Sequence, residues 1–389
     1  MIFDEFQNGE LPRLGFGFMR LPVLNANDRS TVDLDTVKKM VDLYMSRGFG
    51  YFDTAHRYND EASEPALRKA LTERYSRDSY ILTNKITLNY IKRAEDQEPF
   101  MDHQLEICGV DYFDIYLIHN VGLVSYPRFQ QLGTFRFLQE MHAKGKAHHI
   151  GISFHGPADL LDEVLSAHPE LEFVQLQINY LDWEDPVIQS QKCYEIARKY
   201  GKKIVVMEPV KGGTLVNLPD EAMKLMRELS PDSSPASWAI RFAAGLEGVF
   251  MVLSGMSAPD QVEDNTAYMK EYHPLSEEEH GVIRKVKDII RKKTPIACTG
   301  CRYCITECPR NIAIPDYFSL YNNLKRLENK SYLANQVVYY GNISATHGKA
   351  SSCIECGICE KNCPQQLPVR SYLKDVAAAL EINLHPPKK

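Results

Sequence analysis

The chain is 389 residues long, 44% hydrophobic and 25% charged, with a formal net charge of −6. That length suits two domains better than one, and the acidic balance argues against a nucleic-acid or membrane-surface partner, which attracts basic proteins. No apolar run approaches the roughly 18 residues of a membrane span, and the start Met1-Ile2-Phe3-Asp4-Glu5 lacks the basic region of a signal peptide, so the expected compartment is the cytoplasm.

Up to about residue 256, short apolar runs alternate with amphipathic stretches. Strands are expected at 14–20, 49–53, 80–85, 113–119, 148–153, 173–178, 203–208 and 249–254. They are rich in β-branched, aromatic and leucine residues, and Gly or polar punctuation bounds them. Helical patterns lie between them at 35–47, 62–73, 129–144 and 186–200. Continuously apolar strands alternating with helices indicate a parallel sheet buried on both faces. Eight such units over about 250 residues predict an α/β protein of the (β/α)₈ TIM-barrel type. A doubly wound open sheet is the competing architecture. It would place a Gly-x-Gly-x-x-Gly turn after the first strand, and Leu14-Gly15-Phe16-Gly17-Phe18-Met19 does not continue into one.

Chemistry in such a barrel sits at the C-terminal ends of the strands. Those ends carry Asp53, with Tyr58 one short loop beyond it, then Lys85, then His119. Singly, each has a structural explanation; together, on successive strands, they converge on one mouth. The set suits proton delivery to a carbonyl oxygen. A phenol with a pKa near 10 is a poor acid–base group at neutral pH, and a neighbouring ammonium is expected to lower it. Asp53 would hold Lys85 in place, and His119 would orient the carbonyl by a hydrogen bond. The loops at 120–128 and 180–183 would shape the substrate pocket; Tyr126, Phe129, Tyr180 and Trp183 either line it or serve as packing, two readings the sequence leaves equal.

A strongly charged helix is expected at 276–293, followed by more helix at 316–338. Cys298, Cys301, Cys304 and Cys308 precede Pro309; Cys353, Cys356, Cys359 and Cys363 precede Pro364. The spacing is that of bacterial ferredoxins carrying two [4Fe–4S] clusters, where the fourth cysteine of each run serves the other cluster. Carried over, one cluster takes Cys298, Cys301, Cys304 and Cys363, and the other Cys353, Cys356, Cys359 and Cys308. Zinc, which also uses Cys-x-x-Cys pairs, is the alternative, but four tetrahedral thiolates leave no role for a remote Cys-Pro. Cysteines clustered in a chain of this size read as metal ligands rather than disulfides. The expected division is a barrel over residues 1–285 and a small, mainly helical ferredoxin-like dicluster domain over 286–389.

Over roughly residues 10–275 the sequence resembles the aldo-keto reductases. The likeness rests on Asp53, Tyr58, Lys85 and His119, on Leu14-Gly15-Phe16-Gly17, Gly151-Ile152-Ser153 and Val174-Gln175-Leu176-Gln177, and on the stretch from Gly255 to Asn265. The resemblance implies an NADP- or NAD-dependent oxidoreductase in which Tyr58 is the general acid and hydride passes to a carbonyl carbon. It implies Ser153 and Gln175 at the nicotinamide carboxamide, and Lys211 and Gly212 near the pyrophosphate. Gly255, Ser257, Gln261, Asp264 and Asn265 would hold the adenosine end. Two positions depart from the family pattern. Phe154 and His155 follow Ser153 where the family often has Asn, and the 254–261 stretch lacks the cations that often grip a 2′-phosphate. The combination of barrel and cysteine runs is similar to a branch of that family with a C-terminal dicluster domain.

Three functions follow. The first is a carbonyl reductase whose clusters are structural or regulatory, acting on a small-molecule substrate. In the second, the clusters exchange electrons with a redox partner protein of ferredoxin or flavodoxin type and feed the barrel. The third is a non-catalytic barrel that acts as a redox sensor or a partner-binding module.

Overall fold

The computed structural model describes residues 12–292, 295–325 and 333–382. The N-terminal pentapeptide, the last residue of the helix expected at 276–293 and the middle of the one expected at 316–338 lie outside the described residues. Strand β1 (Leu14–Gly17) leads into a hairpin, β2 (Val23–Asn25) and β3 (Asp28–Val32), that stands apart from the main sheet. Then come β4 (Tyr51–Asp53), β5 (Ile81–Ile86), β6 (Phe113–Val121), β7 (Ala147–Phe154), β8 (Phe173–Gln177), β9 (Lys203–Met207) and β10 (Val249–Ser254). Strands β1 and β4 to β10 pair in parallel with their neighbours, and β10 returns to β1, closing an eight-stranded barrel. The barrel reading is borne out, and each expected strand overlaps an observed one, with β5, β6 and β7 running one to two residues beyond the expected ends.

Helix boundaries depart from expectation for local reasons. The stretch expected at 129–144 divides into Tyr126–Gln131 and Thr134–Ala143, because Gly133 between them has φ 64°. The helix expected at 186–200 begins at Ser190. Ahead of it, the Asp185 carboxylate accepts hydrogen bonds from the backbone N–H of Val187 (2.9 Å) and Ile188 (3.1 Å) and holds a turn. The stretch at 62–73 starts as the α-helix Ser63–Leu67 and ends in a π-helical turn, Arg68–Thr72.

Tyr51, Ile81, Ile115, Leu117, Phe173, Val205 and Met251 fill the barrel interior. A second layer, including Val37, Met40, Leu71, Leu138 and Ile152, packs strands against the surrounding helices. Of the two readings of the loop aromatics, packing is the one observed. Tyr126 and Phe129 are buried in the strand–helix layer and Trp183 packs against it, while Tyr180 is buried with Leu215 and Trp238. An aromatic ring after a barrel strand buries a large apolar area, and here the space under the outer helices takes that area.

Past the charged helix Glu277–Lys292, the chain forms helices Ile314–Lys325, Leu333–Ser344 and Val369–Leu380. Their core unites Tyr317, Phe318, Leu320, Tyr340 and Val376 with Cys304 and Cys359, and it also takes in Val187 and Ile188 from the barrel. Polar contacts reinforce the junction. Asp185 accepts from Ser319 Oγ (3.2 Å) and Asn323 Nδ2 (3.3 Å), and Asn342 Nδ2 donates to the His155 carbonyl (2.7 Å). Among the described residues, no helix is long and apolar enough to cross a membrane.

Strand β7 passes so close to β8 that a Cβ on Gly151 would lie 2.2 Å from the Phe173 carbonyl oxygen and 2.8 Å from the Phe173 Cβ. Backbone cannot yield as a flexible side chain does, so Gly151→Ala is expected to destabilise the barrel by about 1–3 kcal/mol, seen as a lower Tm with the far-UV spectrum retained. An unchanged Tm would refute the close packing.

Candidate active site

Register sets the site. Asp53 ends β4 and pairs with Thr83 of β5, so Lys85, two residues further along β5, rises past the end of β4 on the same inward side. Its Nζ donates to Asp53 Oδ1 at 2.6 Å and to the Thr54 carbonyl at 2.9 Å. The side chains of Lys85 and Asp53 are 0% and 4% exposed. Lys85 Nζ lies 5.0 Å from the centroid of the Tyr58 ring, and that ring meets His119 edge-on at a centroid distance of 5.8 Å. The four residues singled out at the strand ends are therefore brought together at the barrel mouth.

Burial decides their protonation. It opposes the charge on Lys85, but Asp53 and Tyr58 together outweigh it and hold the ammonium above the ordinary lysine range. For Tyr58 the expected lowering does not occur. Desolvation pushes the phenol up and exceeds the opposing pull of Lys85. His119 is driven well below the ordinary imidazole range by burial, with Lys85 and Arg57 adding to it, and burial pushes His155 down to about 4. The mouth thus holds a charged lysine, a protonated phenol and two neutral imidazoles at neutral pH.

Tyr58, His119, His155 and Asp53 line a cleft of about 900 Å³, with Lys85 fully buried behind them. Of the residues expected at a cofactor, Ser153, Gln175, Gly212, Gly255, Ser257, Gln261, Asp264 and Asn265 all line it. Lys211 does not: it is fully buried in an ion pair with Asp182, whose carboxylate also accepts from Gln177 Nε2 (2.9 Å) and Asn179 Nδ2 (2.8 Å). The pair ties the chain after β9 to the chain after β8. Gly212 and Gly213 take φ of 65° and 94°, a turn that glycine permits, and both line the cleft. Among buried polar atoms, Gln175 Oε1, Asp53 Oδ2, His119 Nδ1 and Glu208 Oε2 have no hydrogen-bond partner. An acceptor left unmatched in a cleft is one that a bound molecule satisfies. Gln175 Oε1 in this way fits the amide of a nicotinamide, and the positive-φ turn at Gly212 and Gly213, which lines the cleft, fits a pyrophosphate.

Several residues of the cleft were not singled out from the sequence. Arg29 and Arg57 line it near Tyr58, and Arg20, which pairs with Glu208 at 2.9 Å, lines it beside Gly255. A Cβ on Gly255 would sit 3.6 Å from Arg20 Nη1, so a cation reaches the 254–261 stretch from the chain after β1. The stretch itself holds no such signal. Leu333, Asn335 and Val338 of the Leu333–Ser344 helix also line the cleft, and no local pattern ties them to the barrel.

In the C-terminal domain, Cys308, Cys353, Cys356 and Cys359 line one cavity together with Pro309, Gly357 and Ile312. The Cys298 thiol lies within electrostatic reach of Cys301 and Cys363. Backbone N–H groups already face sulfur: Ile312 donates to Cys308 Sγ (3.5 Å) and Glu355 to Cys353 Sγ (3.4 Å). Such contacts stabilise thiolate ligands of an iron–sulfur cluster. Among the described residues, no three His, Cys, Asp or Glu side chains are arranged to hold a single metal ion.

Comparison with known proteins follows the same division. Residues 13–288 match the aldo/keto reductase family, and residues 297–367 match a 4Fe-4S dicluster domain. An uncharacterized oxidoreductase of Schizosaccharomyces pombe is 24% identical over 220 residues, which is 56% of this chain and 74% of that protein. An NAD(P)H-dependent D-xylose reductase of Scheffersomyces stipitis is 24% identical over 215 residues, 49% of this chain and 62% of that protein. A solved aldo-keto reductase of Bacillus halodurans, in its holo form, superposes with a TM-score of 0.57 at 25% identity, covering 70% of this chain and 91% of its own.

Removing the ammonium should expose how the site is held. Lys85→Met leaves the Asp53 carboxylate buried beside an apolar side chain, and breaking one partner of a buried pair costs about 3–5 kcal/mol. The expected result is a lower Tm at pH 7 that partly recovers in the double variant with Asp53→Leu. Equal Tm for Lys85→Met and the wild type would show that the pair is not a structural element.

Proposed function

The chain belongs to the aldo/keto reductase family, and on that premise we propose that it reduces an aldehyde or ketone with NADPH or NADH. The observation that carries this reading is the buried Asp53–Lys85 pair beside Tyr58 and His119 at one end of a cleft large enough for cofactor and substrate together. Nicotinamide, when bound, supplies the hydride.

The chain's own residues do the rest. Tyr58, held protonated by burial, donates its phenolic proton to the carbonyl oxygen as that oxygen gains charge. Lys85 stabilises the phenolate left behind, and Asp53 keeps the ammonium charged and aimed. Neutral His119 offers a ring N–H to the same oxygen, a donor placed where charge develops. Gln175 and Ser153 orient the carboxamide of the cofactor. Gly212 contacts its pyrophosphate, with Lys211 fixing that turn from behind, and Gly255, Ser257, Gln261, Asp264 and Asn265 take the adenosine end.

For the C-terminal domain we assign two [4Fe–4S] clusters, one on Cys298, Cys301, Cys304 and Cys363 and one on Cys353, Cys356, Cys359 and Cys308. The cavity lined by Cys308 with the three cysteines of the other run supports the exchange of fourth ligands. The working division remains 1–285 and 286–389, and the working compartment is the cytoplasm, where thiols stay reduced.

Two measurements test the assignment. Tyr58→Phe should lower kcat for a panel of aldehydes by about 10²–10⁴-fold, with the Kd for NADPH within twofold (about 0.4 kcal/mol) of wild type; unchanged turnover refutes the role of Tyr58. A phenol raised above its ordinary value near 10 stays protonated as pH rises, and an imidazole lowered below about 6.5 stays neutral until pH falls well under that. The kcat/KM profile is therefore expected to be flat between about pH 6.5 and 9. An inflection in that window that disappears in His119→Gln would refute the neutral imidazole.

A further inference from the structure

The cleft is not closed by the barrel alone. Leu333, Asn335 and Val338 of the Leu333–Ser344 helix, which lies between the two cysteine runs, line the same cavity as Tyr58, His119 and His155. We propose that this helix is the substrate-facing wall of the site, and that Val338 and Asn335 set which carbonyl compounds the enzyme accepts. The proposal rests on the carbonyl-reductase reading and names the part of the chain that selects the substrate.

The helix has two faces. At about 100° per residue, Asn335, Val338, Tyr339 and Asn342 fall on one side, and Leu333, Val337 and Tyr340 on the other. On the first side Asn342 Nδ2 donates to the His155 carbonyl at 2.7 Å, and the Tyr339 ring lies 6.3 Å from that of His155. A Cβ on Gly122, in the chain that follows β6, would lie 3.0 Å from Asn342 Nδ2, so the helix sits directly on the barrel mouth. On the second side, Val337 and Tyr340 join the core that holds Cys304 and Cys359, Tyr339 reaches the same core from the first side, and Leu333 at the helix start touches both that core and the cleft. Tyr340 OH accepts from the Ala350 backbone N–H (2.8 Å) and donates to Glu381 (2.6 Å), fixing the helix to the chain that leads into the second cysteine run. One element is therefore braced by the cluster-binding core and presented to the cleft.

The chemistry of the wall indicates what it receives. Val338 and Leu333, with Met19, Met207, Val210 and Val216 also lining the cleft, offer apolar surface. Asn335 adds an amide that both donates and accepts. The expected substrate is a carbonyl compound with an apolar body and a hydrogen-bonding group distant from the carbonyl. It is selected by fit against Val338 and by pairing with Asn335.

The experiment uses the full chain with its clusters loaded. Val338→Trp and Val338→Ala are compared with wild type on short-chain aldehydes and on bulky aryl and hydroxylated ketones. Kinetics is read beside calorimetric Kd values for the same compounds on the NADP⁺ complex. The ratio of kcat/KM for bulky over small substrates should fall at least about tenfold in Val338→Trp, the discrimination expected of a hydrophobic pocket altered by a few carbons. In Val338→Ala the ratio should rise. Asn335→Ala should weaken the hydroxylated ketones selectively. Iron content, visible absorption and the Kd for NADPH should match wild type, which separates a changed wall from a misfolded domain. Where Val338→Trp fails to load clusters, Val338→Ala and Asn335→Ala carry the test. Ratios unchanged in every folded variant overturn the wall. A wild-type protein that binds the panel but turns over none of it overturns the carbonyl reading instead, and the Kd ratios then decide the wall. A panel that neither binds nor reacts overturns both.

Discussion

The barrel mouth is organised around two opposite charges held almost entirely away from water. Lys85 and Asp53 lie on neighbouring strands, 2.6 Å apart and almost wholly buried. Charge in that position is tolerable only if it is paired and hydrogen-bonded. The pair therefore constrains the register of β4 against β5, since a slip of one residue would turn Lys85 away from the carboxylate. From the same charge follow the protonation states around it. The ammonium adds to the burial that keeps His119 neutral, and it opposes, without overcoming, the burial that keeps Tyr58 protonated. A protonated phenol beside a permanent cation is a proton donor whose conjugate base is already stabilised. That property comes from the closed barrel as much as from the residues themselves.

Much of this was legible in the sequence, and the reasons are specific. Parallel strands buried on both faces read as continuous apolar runs, and their ends carry the ionisable residues, so β4, β5 and β6 could be placed together with Asp53, Lys85 and His119. The cysteine spacing was equally direct, because the chain itself has to wrap a cluster. Three features were not legible. The break at Gly133 depends on a positive φ that its helical surroundings conceal. For Tyr126, Phe129, Tyr180 and Trp183 the place after strands leaves pocket and packing equal, and it is the outer helices that draw them into the core. The sign of the Tyr58 shift needed the extent of burial, which sequence does not supply.

The remaining gap is one of distance along the chain. Arg20 reaches Gly255, Glu208 pairs with Arg20 across 188 residues, and Asn335 and Val338 arrive at the mouth from beyond the first cysteine run. Such contacts leave no periodicity and no motif. The arrival of Asn335 and Val338 depends on the docking of two domains through Val187, Ile188 and Asp185, a short stretch that precedes the Ser190–Lys199 helix.

The close seat of Asn342 on Gly122 and on the His155 carbonyl has a consequence for modularity. A ferredoxin-like domain is ordinarily an exchangeable cassette, tied to its host by a linker. Here the Leu333–Ser344 helix, which lies between the two cysteine runs, lines the host's cleft, so its placement is matched to the barrel as well as to the domain that carries it. A graft that transplanted the cysteine runs with a foreign spacer would preserve the iron sites and leave the chamber open on one side. A barrel cut free at the domain boundary would meet its substrate through a wider door than the intact chain provides.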